Sequence, residues 1–257
     1  MNQIVKQIPN AITLLNLLMG SLAVFFAIDG HLVWSGIFIC AAAIFDFLDG
    51  FAARLLKAHS EIGKELDSLA DMISFGLAPA AILFTLLEFS LFEKNQPIYQ
   101  IDASPGQWLI LFSALLMPLS GALRLARFNS NQQNASFFRG LPIPANGIFW
   151  AAIGLMLELQ RFPEILKFVF STQNLLILGL FTSGMMLITL PMFSLKIKNV
   201  KWNENWFRFV FILISLALIV SLSAYGLALA VLVYIFMNFG LYLGGISFSA
   251  HSNGDKN

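Results

Sequence analysis

Four aspartates stand within twenty-six residues, in the frame Asp46-x2-Asp49-Gly50-x2-Ala53-Arg54-x8-Gly63-x3-Asp67-x3-Asp71, beside or inside stretches apolar enough to cross a membrane. A charged side chain near hydrocarbon costs roughly 2.5–3.5 kcal/mol on an insertion scale, so an acidic cluster there is first a candidate cation or catalytic site. Oxygen-only ligands select hard ions such as Mg2+ or Mn2+ over zinc. Four carboxylates packed without counter-charge repel one another; this many suit two ions about 3.5–4 Å apart that bridge an attacking and a leaving oxygen. Gly50, Ala53 and Gly63 put no bulk beside them, so a large anionic ligand could approach the helix backbones. Arg54 supplies a planar cationic fork for phosphate. Any one of these aspartates is better explained as a helix-end acid paired with Arg54, Lys57 or Lys64. The eight positions together match by chance on the order of 10^-10 per starting point, which sets that explanation aside for the group.

Helical spacing gives the frame a shape. Asp46, Gly50, Ala53 and Arg54 share a stripe of the second helix, with Asp49 three residues after Asp46, and Gly63, Asp67 and Asp71 recur every four residues at the start of the third. The connection Leu55 to Ile62 is short and polar, so the two helices should be antiparallel neighbours with their acidic faces together.

The elements that hold this seam are membrane helices. The chain is 58% hydrophobic and 11% charged, with a mean hydropathy of +0.78, against about 25% charge in soluble domains. Apolar runs of spanning length fall at about 11–28, 32–53, 66–88, 107–127, 144–160, 173–194, 207–223 and 226–245. The expected fold class is therefore all-α, a polytopic bundle of about eight transmembrane helices forming one integral membrane domain over 1–257. With the N terminus inside, Lys6, Arg54, Lys57, Lys64, Arg124, Arg127, Arg139, Lys196, Lys198, Lys201, Arg208 and Lys256 fall on the inner side, and Lys94, Arg161 and Lys167 on the outer. Twelve against three places both termini in the cytoplasm.

Several classes drop out. A net charge of +1 without blocks of like charge argues against a nucleic-acid partner. Cys40 is the single cysteine, which excludes an internal disulfide and a cysteine metal cluster. Asn10, Thr13 and Asn16 interrupt the first apolar run, which has no small-residue cleavage site after it, so it should be retained rather than removed. His31, His59 and His251 lie apart, leaving no nucleophilic triad for acyl transfer. The sequence has no repeat of solenoid period and no low-complexity linker. Its least hydrophobic interruptions are 93–106 outside, with Glu93, Lys94 and Asp102, and 128–143 and 195–206 inside, on the face of the aspartates.

The aspartate frame is the signature of the CDP-alcohol phosphotransferases, and at every fixed position the chain resembles that family. The resemblance implies a six-helix catalytic core, usually a homodimer, in which a hydroxyl attacks the lipid-bearing phosphate and CMP leaves. It implies metal ligation by Asp46, Asp49 and Asp67, with Asp71 sharing a metal and acting as general base. Gly50, Ala53, Arg54 and Gly63 would line the nucleotide and pyrophosphate site.

Further segments, in order over residues 8–196, are similar to bacterial and archaeal phosphatidylserine synthases of the integral membrane type. These are Ile8-Pro9-Asn10-Ala11-Ile12-Thr13 on to Gly20, Asp71-Met72-Ile73-Ser74-Phe75-Gly76-Leu77-Ala78-Pro79, Arg124-Leu125-Ala126-Arg127-Phe128-Asn129, Phe138-Arg139-Gly140-Leu141-Pro142-Ile143-Pro144 and Pro191-Met192-Phe193-Ser194-Leu195-Lys196. The implied substrates are CDP-diacylglycerol and L-serine, and the implied setting is the cell inner (cytoplasmic) membrane with the active site facing the cytoplasm. Serine needs a cation for its carboxylate and oxygens for its ammonium. Arg124 and Arg127, three apart at the inner end of the fourth helix, could bind the carboxylate, with Asn129 and Ser74 as polar contacts; the arginines serve equally as interface anchors.

Gly76, Pro79, Gly140, Pro142 and Pro144 bend helices and set loops, shaping the acceptor pocket. Two features depart from the family pattern: Asn146-Gly147 where small apolar residues are more usual, and two helices over about 207–245 beyond the common six. Lys196, Lys198, Lys201 and Arg208 could attract anionic lipid headgroups, and topology setting accounts for them equally. A phosphorylated acceptor, glycerol 3-phosphate or an inositol phosphate, would call for more basic residues than Arg124, Arg127 and Arg139. A cation transporter would carry polar residues through the depth of several helices, whereas these aspartates gather near one face.

Overall fold

The structure is a computed structural model that describes residues 3–58, 60–130, 138–193 and 202–244. His59, His251, Lys196, Lys198 and Lys201 lie outside the described residues. In chain order come α1 (Gln3–Ile28), α2 (Leu32–Leu55), α3 (Glu61–Asp71), a π-helical turn (Met72–Leu77) leading straight into α4 (Ala78–Phe92), and α5 (Pro105–Phe112), joined through one 3-10 turn to α6 (Leu116–Ser130). After the two-residue β1 (Phe138–Arg139) follow α7 (Ile143–Leu159), α8 (Pro163–Val169), α9 (Thr172–Leu187), β2 (Pro191–Met192), α10 (Trp202–Leu222) and α11 (Ala224–Leu243). β1 and β2 form a minimal antiparallel bridge, Phe138 opposite Met192 and Arg139 opposite Pro191. The described chain is otherwise all-α.

Which side chains face inward shows the solvent. On α1 the buried stripe is Thr13, Asn16, Gly20, Ala23 and Ala27, while Leu14, Leu15, Leu18 and Phe25 are exposed. A helix that buries small and polar residues and turns its large apolar ones outward is built for lipid. Six helical spans among the described residues are long and apolar enough to cross a membrane, and up to seven if the pair α8 and α9, bent by 67°, counts as one.

All eight expected apolar runs fall on helices, but two are not straight spans. At 17 residues α7 rises about 25 Å, short of a hydrocarbon core of about 30 Å. The run expected over 173–194 stops at Leu187. Pro191 has no N–H to carry the helix past it, and the chain turns into β2.

Close crossings come from absent side chains. A Cβ on Gly36 of α2 would stand 2.7 Å from the Ala151 carbonyl oxygen, and one on Gly154 of α7 would stand 2.8 Å from that of Leu32. The α2–α7 contact is thus backbone against backbone at both places. Ser35 donates to the Ala23 carbonyl and Thr85 to the Ala27 carbonyl, both at 2.8 Å, tying α2 and α4 to α1.

Long-range contacts sort the helix ends into two groups. At one end Asn95 reaches the Ile28 carbonyl, Thr172 reaches Ser90, and Arg161 reaches the Ser221 carbonyl. At the other, Asn129 reaches Ser68, Arg127 the Leu187 carbonyl, and Asn238 the Phe193 amide. The aspartates belong to this second end.

Candidate active site

The acidic seam is built where α2 stops and α3 starts. α2 unwinds through Lys57 at φ 50°, with the Ala58 amide bonding back to the Ala53 carbonyl at 3.0 Å. Ser60 then caps α3, its hydroxyl accepting from the Gly63 amide at 3.0 Å. Gly63 is required by closeness: a Cβ there would stand 2.8 Å from Asn10 Oδ1 and 2.9 Å from Ser60 Oγ. One missing methyl therefore lets α1 meet the first turn of α3.

Asp46, Asp49 and Asp67 each offer a carboxylate oxygen such that all three lie within 4.8 Å of one another. The Asp46 carboxyl is in hydrogen-bonding contact with those of Asp67 and Asp71. Asp49 is buried beside the Thr13 hydroxyl and the Gly50 amide, and its Oδ2 has no hydrogen-bond partner. Asp71 is buried deeper in the seam, with Asn16 Nδ2 donating to its Oδ1 at 3.5 Å. Converging carboxylates with an unmet buried oxygen form a donor set that fits a hard divalent cation.

The small-residue stripe faces the same space. Gly50, Ala53, Arg54 and Gly63 line an open cleft of about 220 Å³ together with Asp49 and Asp67. Arg54 Nη1 lies 3.6 Å from where a Gly50 Cβ would be, so the guanidinium lies back along its own helix toward the acids. The cleft is completed by Pro9, Asn10 and Thr13 of α1 and by Ala58, Ser60 and Lys64. Composition and spacing did not identify these last residues as part of the site. The available signal was Asn10, Thr13 and Asn16 at intervals of three on an otherwise apolar helix, a polar stripe that needs a partner in a membrane.

The four residues assigned to serine are placed differently from one another. Ser74 is fully buried and donates to the Asn16 carbonyl at 3.1 Å; a Cβ on Gly20 would collide with it at 2.1 Å from its Oγ. It fastens the π turn to α1. Asn129 donates to Ser68 Oγ at 2.9 Å, between Asp67 and Asp71 in sequence. Arg127 is exposed and donates to the Leu187 carbonyl at 3.4 Å, capping α9. Arg124 is buried, close enough to Asp71 and Tyr234 to interact electrostatically with both, and its Nε has no partner.

The π turn that follows Asp71 has a local cause. Pro79 cannot donate to the Phe75 carbonyl, its partner in an α-helix. Asn146 of α7 fills that role instead, its Nδ2 donating to the Phe75 oxygen at 3.1 Å. The departure at Asn146 is thus matched to Pro79. Gly147 beside it accommodates the Phe75 ring, which a Cβ would approach to 2.5 Å.

Residues 6–190 match the family described as CDP-alcohol phosphatidyltransferase. Three similar proteins, all named CDP-diacylglycerol–serine O-phosphatidyltransferase, come from Mycobacterium leprae, Methanocaldococcus jannaschii and Helicobacter pylori. The first is 35% identical over 161 residues, 60% of this chain and 48% of the relative. The second is 40% identical over 141 residues, 55% of this chain and 57% of the relative. The third is 30% identical over 197 residues, 76% of this chain and 74% of the relative. The match spans about half the length of the mycobacterial relatives.

Proposed function

The chain belongs to the CDP-alcohol phosphatidyltransferase family, and from that premise we propose that it transfers the phosphatidyl group of CDP-diacylglycerol to the hydroxyl of L-serine, giving phosphatidylserine and CMP. The observation that carries the proposal is the convergence of Asp46, Asp49 and Asp67 within 4.8 Å, with Asp49 and Asp67 lining one cleft with Gly50, Ala53, Arg54 and Gly63. The names of the similar proteins favour serine as acceptor.

Asp46, Asp49 and Asp67 would hold Mg2+ or Mn2+, two ions with Asp71 sharing one. A bound divalent cation neutralises charge on the pyrophosphate and on the departing CMP. Gly50, Ala53 and Gly63 leave the nucleotide room beside the helices, and Arg54 forks onto its phosphates. Asp71 takes the proton of the serine hydroxyl while the new oxygen–phosphorus bond forms and the bond to the bridging oxygen breaks, that oxygen leaving with CMP. Arg124, with an unmet donor next to Asp71, binds the serine carboxylate. Arg127, Asn129 and Ser74 act by holding α9, α3 and the π turn around the pocket.

On this reading the catalytic core covers about 8–196, the helices over 207–245 are additions to it, and the working unit is a homodimer. The site faces the cytoplasm from the inner membrane. Supporting that orientation, Arg54, Lys57, Lys64, Arg124 and Arg127 share the aspartate end, whereas Lys94, Arg161 and Lys167 lie in segments of the opposite end.

The test is CMP release and lipid product mass from purified protein in detergent with CDP-diacylglycerol and Mg2+ or Mn2+. Serine, glycerol 3-phosphate and inositol phosphate are supplied in parallel. Serine-dependent phosphatidylserine is the expected result. Product with another acceptor alone would retain the aspartate chemistry and overturn the serine pocket, and no CMP with any acceptor would overturn the transferase itself.

A further inference from the structure

α10 and α11 lie beyond the family match at residues 6–190, yet α11 reaches into the aspartate end through two buried polar side chains. Asn238 Oδ1 accepts from the Phe193 amide at 2.7 Å, while its Nδ2 donates to the Tyr234 carbonyl at 2.7 Å. The Tyr234 hydroxyl donates to the Phe193 carbonyl at 2.9 Å. Both polar groups of residue 193 are therefore held by one helix. Phe193 itself is buried, with its ring 5.1 Å from those of Phe207 and Tyr234 and 5.8 Å from that of Phe211. Such groups, away from water, stay where their partners put them, because each unmade bond leaves a buried donor or acceptor unsatisfied.

What is held matters for the pocket. Residue 193 directly follows the strand β2, whose bridge positions 138–139. The loop continues into Gly140 and Leu141, whose amides bond to the Leu190 and Met185 carbonyls at 2.9 and 2.8 Å. Gly140 sits at φ 71° with three carbonyl oxygens, those of Met185, Met186 and Ile188, within 2.9 Å of the site of a Cβ, so no other residue fits there. Tyr234 also neighbours Arg124. With its proton committed to the Phe193 carbonyl, the phenol oxygen turns its remaining lone pairs to its surroundings, and Arg124 is the cation beside it.

We propose that Tyr234 and Asn238 are positioning residues for the acceptor: by gripping residue 193 and neighbouring Arg124, α11 fixes the surroundings of Arg124 next to Asp71 and sets affinity for the acceptor alcohol. The inference rests on the serine-transferase reading above. It gives α11 a part in selecting the substrate.

Tyr234→Phe removes one oxygen and no bulk. It is expected to raise the KM for serine about tenfold, the scale of one lost hydrogen bond, and to leave the KM for CDP-diacylglycerol within about twofold. Because the effect passes through Arg124, adding Tyr234→Phe to Arg124→Ala should change the serine KM little further. Additive effects in that cycle, a parallel rise in both KM values, or unchanged kinetics would overturn the proposal. Asn238→Leu serves as the second variant, with gel filtration and apparent Tm verifying that each variant is folded. If wild-type protein uses a different acceptor, the serine reading fails while the same cycle run with that acceptor still decides the positioning role. If wild-type protein turns over no acceptor, hydrogen exchange over residues 190–193 decides: faster exchange in Asn238→Leu is expected, and unchanged exchange overturns the grip.

Discussion

Asp49 and Asp71 are both buried, but their surroundings suit different work. Asp49 opens onto the cleft with an unmet oxygen, whereas Asp71 lies behind it against Asn16 and near Arg124. On the proposed chemistry, Asp71→Asn keeps the size of the side chain and removes the proton acceptor, so kcat should fall about 10²–10⁴-fold with CDP-diacylglycerol binding retained. Asp67→Ala should instead flatten the response of activity to added Mg2+ or Mn2+. A metal titration of both variants beside wild type separates the roles, and wild-type turnover by Asp71→Asn would remove it as base. Gly63→Ala tests the other side of the cleft: the methyl meets Asn10 and Ser60 below 3 Å, and relieving an overlap of that kind costs about 1–3 kcal/mol. A raised KM for CDP-diacylglycerol with an unchanged KM for serine is expected. The motif residues were legible because their types are fixed by their chemistry. Asn10, Thr13 and Lys64 were not, since only the docking of α1 on α3 brings them to the cleft.

Most helix ends were legible to within about a turn, but α1 starts at Gln3, well before its expected run at 11, and α9 stops at Leu187, well short of 194; the register within the helices was not legible. Pro79 is visible in the sequence as a bend; that its lost hydrogen bond becomes a π turn, and that Asn146 repairs it from another helix, depends on a contact 71 residues away. The pairing has a measurable consequence. Asn146→Leu leaves the Phe75 carbonyl buried and unmet, at a cost of about 1–3 kcal/mol, and should lower the apparent Tm in detergent. Pro79→Ala restores an N–H at the position an α-helix would use, so Asn146→Leu combined with Pro79→Ala should be more stable than the two separate losses predict. Simple additivity of the two Tm shifts would show that the proline and the asparagine do not share that carbonyl.

For the whole molecule, the sequence predicted the class, and its eight apolar runs correspond, among the described residues, to six spanning helices, a bent pair and the short α7. Hydropathy reports how apolar a segment is, but α7 is apolar because it is buried at the centre. Trp150, Phe149 and Ile143 are almost fully enclosed, and protein neighbours substitute for lipid. The proposed orientation can be tested at the two ends defined by the long-range contacts. Lys57 belongs to the aspartate end and Lys94 to the opposite end, next to the Asn95 contact with Ile28. Cys40 is the single cysteine and can be replaced by alanine, so that Lys57→Cys or Lys94→Cys then provides a unique thiol. In intact cells of the expression host, a membrane-impermeant maleimide should label the thiol at 94 and spare the one at 57 until the membrane is opened. Labelling at 57 first would place the aspartate cleft outside and overturn the proposed orientation, leaving the excess of basic residues at that end without an explanation.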